Sequence, residues 1–110
     1  MKVENTKAQM RKGILEYCVM SILSNKECYP SEIIEHLKDA ELIVVEGTLY
    51  PLLTRLKNAK LLDYRWEESN AGPPRKYYEL TPEGVAFLTE LKSTWRVLNK
   101  AVNQLENKNL

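Results

Sequence analysis

At 110 residues, 44% of them hydrophobic and 28% charged, the chain has the size and composition of one soluble globular domain with room for an additional helix. No apolar run approaches the ~20 residues that cross a bilayer, the start carries no apolar export segment, and Cys18 and Cys28 have neither zinc-site spacing nor the number for a disulfide framework, so the expectation is a cytoplasmic protein with reduced thiols. The net charge of +1 argues against a uniformly basic nucleic-acid binder, but it is unevenly spread: Ser31 to Glu46 holds five acids against one lysine, and Gly47 to Lys76 six lysines and arginines against three acids.

From about Thr6 to Ser24, Ile14, Leu15, Cys18, Val19, Ile22 and Leu23 recur at the spacing of one helical face, which Met10 extends toward the N-terminus. Tyr17 and Met20 lie off that stripe. They predict a second buried side, against a partner chain or against the C-terminal helix. Pro30 and Ser31 are start signals for a second helix, as a first-turn proline and a capping hydroxyl. Its apolar residues are Ile33, Ile34, Leu37 and Ala40; its outer face, with Glu32, Glu35, His36 and Asp39, is acidic and solvated. His36 has no second histidine or cysteine at ligand spacing and reads as a surface imidazole.

A short connection, Leu42 to Glu46, leads to a third helix whose Leu49, Leu52, Leu53 and Leu56 form one narrow apolar stripe. The opposite side collects Gly47, Pro51, Thr54 and Asn58, with Tyr50 on one edge and Thr48 and Arg55 on the other. Pro51 would break a helix interior, which sets the expected start near Gly47. Leu62, Tyr64 and Trp66 then alternate with Asp63, Arg65 and Glu67, the period of a half-buried strand, and a second strand fits Lys76 to Leu80. The segment Ser69 to Arg75 reads as too long for a two-residue turn and gives a hairpin with an extended tip ending in Arg75 and Lys76.

Thr81, Pro82, Glu83 and Gly84 start a last helix with a capping hydroxyl, a first-turn proline and an acid at the positive end of the dipole. In it Leu88, Leu91, Trp95, Leu98, Val102 and Leu105 follow a 3-4 repeat, the seam of a coiled coil, which needs a partner. Val85 and Phe87 widen the stripe near its start, where the helix can also meet the body.

Three helices followed by a hairpin with a basic tip is the order of a winged helix-turn-helix, in which the third helix enters the major groove. The expected class is mainly α with a small β-hairpin, residues 1–80 forming the DNA-binding domain and 81–110 a long C-terminal dimerisation helix. Thr48, Tyr50, Thr54 and Arg55 are the candidates for reading DNA, and Arg75 and Lys76 for gripping phosphate. Paired catalytic carboxylates, a nucleophile beside a base, a phosphate loop and a metal-ligand cluster are all missing, so no enzyme or cofactor is expected. A winged-helix protein-interaction module is the competing reading, because fold alone does not fix function.

The runs Val45-Glu46-Gly47-Thr48-Leu49-Tyr50-Pro51-Leu52-Leu53-Thr54-Arg55-Leu56 and Gly72-Pro73-Pro74-Arg75-Lys76-Tyr77-Tyr78-Glu79-Leu80-Thr81-Pro82-Glu83-Gly84 closely resemble the two hallmark segments of PadR-like transcriptional regulators. Lys12 to Tyr17 resembles the first-helix pattern of that family, and the likeness covers about residues 10 to 96. The resemblance implies a dimeric repressor of the compact subgroup, bound to double-stranded DNA at an inverted repeat. It also implies ligand response: Leu88, Leu91, Trp95, Leu98 and Val102 would line the dimer interface, with Trp95 at a crevice fit for a small hydrophobic or aromatic effector. Two departures stand out. Tyr29-Pro30-Ser31-Glu32-Ile33 replaces the usual Tyr-Gly-Tyr-Glu-Ile, and Lys60 replaces the glycine that usually ends the third helix, where a left-handed cap costs a non-glycine residue about 1 kcal/mol.

Overall fold

The computed structural model describes residues 1–42 and 44–107. Ile43, in the predicted connection, and the last three residues of the predicted C-terminal segment lie outside the described residues. The elements follow in the expected order: α1 (Val3–Asn25), α2 (Pro30–Asp39), α3 (Glu46–Asn58), β1 (Leu62–Ser69), β2 (Gly72–Leu80) and α4 (Pro82–Glu106). Among the described residues no helix is long and apolar enough to cross a membrane.

One core joins these elements. Leu15, Val19, Met20 and Leu23 of α1, Ile33 and Leu37 of α2, the four α3 leucines, Leu62 and Tyr78 are buried together with Cys28. Met20 is fully buried, so α1 does bury a second side, within its own chain, where it packs against α2, β2 and α4. Met10 does not extend the buried face. It is 70% exposed, and every residue of α1 before Ile14 stands outside the core. Burial raises the thiol pKa of Cys18 and Cys28, at Cys28 with a smaller push from Glu32, which keeps both protonated and weakly nucleophilic at neutral pH.

Helix ends follow local chemistry. Tyr29, not Ser31, is the N-cap of α2; Pro30 takes the first helical position, and the Glu32 carboxylate accepts a hydrogen bond from the Tyr29 backbone N–H at 3.2 Å. Helix α3 starts at Glu46, so Pro51 is its sixth residue and lies deeper than predicted. The proline has no N–H to give the Gly47 carbonyl one turn back. Gly47 itself is exposed, with open space around its Cα. Helix α3 also ends as the glycine-containing pattern would: Lys60 takes the left-handed conformation at φ 65°, and the Leu61 N–H reaches back to the Leu56 carbonyl at 3.0 Å. Glu41 ends α2 the same way, at φ 64°, with the Leu42 N–H bonded to Leu37.

The end of α3 is clasped to the start of α4. The Thr81 hydroxyl donates to the Lys60 carbonyl at 2.7 Å and accepts from the Gly84 N–H at 3.0 Å, capping α4 as predicted. A Cβ on Gly84 would lie 2.1 Å from the Leu61 carbonyl oxygen, so only glycine lets α4 start this close to the body.

The hairpin differs from expectation. Strand β2 begins at Gly72, not Lys76, and Ser69 pairs with Gly72 across a two-residue turn, Asn70-Ala71. Prolines 73 and 74 do not break the strand because their ring-fixed φ suits extended backbone, and the donors they lack fall at an irregularity in register between Glu67 and Ser69. Beyond that point the antiparallel register runs from Glu67 opposite Arg75 to Leu62 opposite Leu80. On its other edge β2 exchanges two backbone hydrogen bonds with Cys28 through Tyr78, tying the wing to the α1–α2 turn.

Candidate nucleic-acid interface

The buried leucine stripe of α3 turns Thr48, Tyr50, Thr54 and Arg55 outward, and all four are exposed. They do not form one site. Tyr50 and Thr54 border an open cleft of about 350 Å³ between α3, the start of α2 and the wing, together with Arg75 and Lys76. Thr48 and Arg55 lie on the other flank of α3, beside Lys12 and Glu16 of α1. Helix α3 therefore has two borders, one facing the wing and one facing α1.

Burial fades along β1: Leu62 is buried, Tyr64 half-buried and Trp66 61% exposed, so the alternation predicted a half-buried strand only for the part next to the body. Past that part the hairpin projects as a wing. Its cations fall into two groups. Arg65 is ion-paired twice, with Glu27 of the α1–α2 turn and with Glu67 on its own strand. The guanidinium holds the Glu27 carboxyl below its usual pKa, mainly by hydrogen bonding, and the two carboxylates raise that of Arg65. Arg65 also lies over the Tyr77 ring, 5.0 Å from its centroid.

Arg75 and Lys76 are held differently. Glu67 is opposite Arg75 in the register, yet it bonds Arg65, and among the described residues neither Arg75 nor Lys76 makes an ion pair. Aromatic rings hold them instead. Arg75 lies 4.4 Å from the Tyr29 centroid, and Tyr29 meets Tyr77 edge to face at 5.2 Å. Lys76 lies 4.5 Å from the Tyr64 ring and 5.2 Å from that of Trp66. A quadrupole orients a cation without neutralising it, so both charges stay available to an anion. Among the described residues no acidic side chain lines this cleft.

Tyr29, Ser31 and Trp66 at the cleft, and Lys12 on the opposite flank, escaped the sequence reading. Their signals were weak: Trp66 obeys the strand alternation and so reads as core, and the others join the interface only through the fold. The predicted interface residues of α4 divide as well. Leu88 and Leu91 pack against the core of their own chain, so this part of the seam, expected to need a partner, is covered from within. Trp95, Leu98, Val102 and Leu105 remain 39%, 53%, 49% and 66% exposed.

Three helices, a wing tied to them, an outward polar helix face and unpaired cations beside it define a winged helix-turn-helix protein. Comparison with known proteins narrows the class. The profile of the transcriptional regulator PadR-like family matches residues 19–90. Among solved structures, a PadR-like transcription factor from Bacteroides fragilis is 61% identical, with 92% of this chain and 98% of that one covered and a TM-score of 0.77. A PadR-like transcriptional regulator from Bacillus cereus is 38% identical over 92% of this chain and 99% of its own, with a TM-score of 0.82. A PadR family transcriptional regulator from Eggerthella lenta is 36% identical over 97% and 90%, also with a TM-score of 0.82. The chain belongs to the PadR-like family of transcriptional regulators, which are not enzymes.

Proposed function

We propose that the chain is a homodimeric, sequence-specific DNA-binding repressor acting in the cytoplasm and released by a flat hydrophobic or aromatic effector. The observation that carries the DNA reading is the cleft in which Tyr50 and Thr54 of α3 face Arg75 and Lys76 of the wing, cations that have no acidic partner among the described residues. Side chains of the first pair can reach base edges, and the second pair can bind phosphates. Residues 1–80 act as the DNA-binding head in this reading, and 81–110 carry the dimerisation helix. The exposed Trp95, Leu98, Val102 and Leu105 support a dimer, since an apolar stripe of this length on a solvated helix is otherwise unfavourable. A two-fold axis would set two recognition helices about one duplex turn apart, roughly 34 Å, on an inverted repeat.

The effector site belongs at that axis, where two Trp95 rings make an adaptable stacking surface. With Trp66 replaced by Phe, candidate aromatic compounds are expected to change Trp95 fluorescence; no change with any of them removes the effector from the proposal. For DNA binding itself, a gel shift with the region upstream of the chain's own gene is expected to give a discrete complex that a scrambled duplex does not compete away. Equal competition by both duplexes would contradict sequence-specific regulation.

A further inference from the structure

We infer that Trp66 is a DNA-contacting residue, packing its indole on the sugar-phosphate backbone that Arg75 and Lys76 attract. The inference rests on the DNA-binding reading above and adds to it a wall of the cleft that carries no charge. Trp66 is 61% exposed near the outer part of β1, past the last core residue of that strand, although indole is among the most favourable side chains to bury. Its position is fixed from two sides. The Tyr64 ring meets it edge to face at 6.1 Å, and Lys76, its direct partner in the strand register, lies 5.2 Å from its centroid.

The cleft beside the indole has Tyr50 and Thr54 of α3 among its other walls, and Arg75 and Lys76 at its wing border. An apolar peptide would leave those two cations desolvated and unpaired, and a uniformly acidic protein surface would set the indole against charge. A nucleic-acid backbone matches both, because its phosphates pair with the cations and its deoxyribose offers an apolar surface to the ring. The contact lies on the backbone, so it works on any sequence.

Trp66 and Trp95 are the two tryptophans of the chain, so a Trp95→Phe protein reports Trp66 alone. Titrating it at low salt with a random-sequence duplex is expected to change the emission with the same midpoint as the anisotropy of the labelled duplex. Trp66→Ala should weaken binding to random and upstream duplexes alike, on the order of tenfold, the scale of one aromatic contact. Because tryptophan is neutral, the salt slope should stay that of wild type. Trp66→Phe should recover most of the loss, and circular dichroism should show the variants folded. Saturated binding with unchanged emission, or wild-type affinity in Trp66→Ala, would overturn the inference and leave the regulator reading standing. A slope lowered by about one would also overturn it, by making Trp66 a support for Lys76 and not a contact. If the wild-type chain binds neither duplex, the regulator reading falls and this inference falls with it.

Discussion

Helix α3 and the C-terminal half of α4 each leave a whole face uncovered, and the two faces are chemical opposites. On α3 the uncovered side carries Gly47, Thr48, Tyr50, Thr54 and Arg55 and is bordered by unpaired wing cations. On α4 it carries Trp95, Leu98, Val102 and Leu105. Both helices satisfy the core with one stripe: four leucines on α3, and on α4 only Leu88 and Leu91, where Gly84 lets the helix start against the body. What remains differs in what it can bind. A polar, cationic face gains by meeting a polyanion, and an apolar 3-4 seam gains by meeting another seam. The contrast teaches that an exposed face acquires meaning from its chemistry and its borders, since exposure alone is common to both.

Removing the α4 face should have the largest effect. A chain ending after Thr89 is expected to sediment as a monomer at micromolar concentration while the full chain sediments as a dimer. Operator affinity should fall by roughly 10²–10⁴-fold, because two linked half-sites become independent. A full-length monomer would erase the distinction between the faces. Next in size is the wing: replacing Arg75 and Lys76 by Ala should lower the slope of log affinity against log salt by about two. Arg65→Ala is the internal control. It removes one positive charge from the same hairpin, but a charge already matched by Glu27 and Glu67, and the slope should barely change.

The smallest effect concerns the anchor of the wing. The folded-state pKa of Glu27 lies below its usual value, so its contribution is complete above the ordinary glutamate pKa and fades as pH falls through the lower folded one. Glu27→Gln should therefore remove a small part of the acid-side loss of thermal stability and leave the neutral side flat, as read by melting temperature across pH. An unchanged acid profile would mean that this exposed pair contributes nothing.

Periodicity made the helices legible, and the leucine stripe of α3 was correct residue by residue, because a helix packed on one side keeps its period of 3.6 in the sequence. Hydrophobicity alone could not say how far burial extends along an element. Met10 and Trp66 continue apolar patterns beyond the reach of the body, and both are exposed. Meanwhile Met20 looked off-stripe and is buried, because α1 is enclosed from several directions. Prolines 73 and 74 suggested a loop, yet proline is compatible with an extended strand next to an irregularity. Lys60 was visible as a departure, but only backbone geometry shows that lysine occupies the left-handed cap; Lys60→Gly should raise stability by about 1 kcal/mol in denaturant unfolding. The candidate site was legible as a helix face with two edges, Tyr50 on one and Thr48 and Arg55 on the other, and illegible in what borders them: the fold sets Tyr50 and Thr54 toward the wing and Thr48 and Arg55 toward α1.

If α3 reads sequence while the wing grips backbone, substitutions in the two must act differently on different duplexes. Binding isotherms on operator and scrambled duplexes at several salt concentrations test this most directly, with Tyr50→Ala, Arg55→Ala and the double Arg75→Ala, Lys76→Ala variant. The wing variant should lose affinity for both duplexes to the same degree. Tyr50→Ala or Arg55→Ala should lose about 1–3 kcal/mol more on the operator than on the scrambled duplex. Equal losses on the two duplexes for every substitution would contradict this division, leaving α3 as one more surface that grips phosphate.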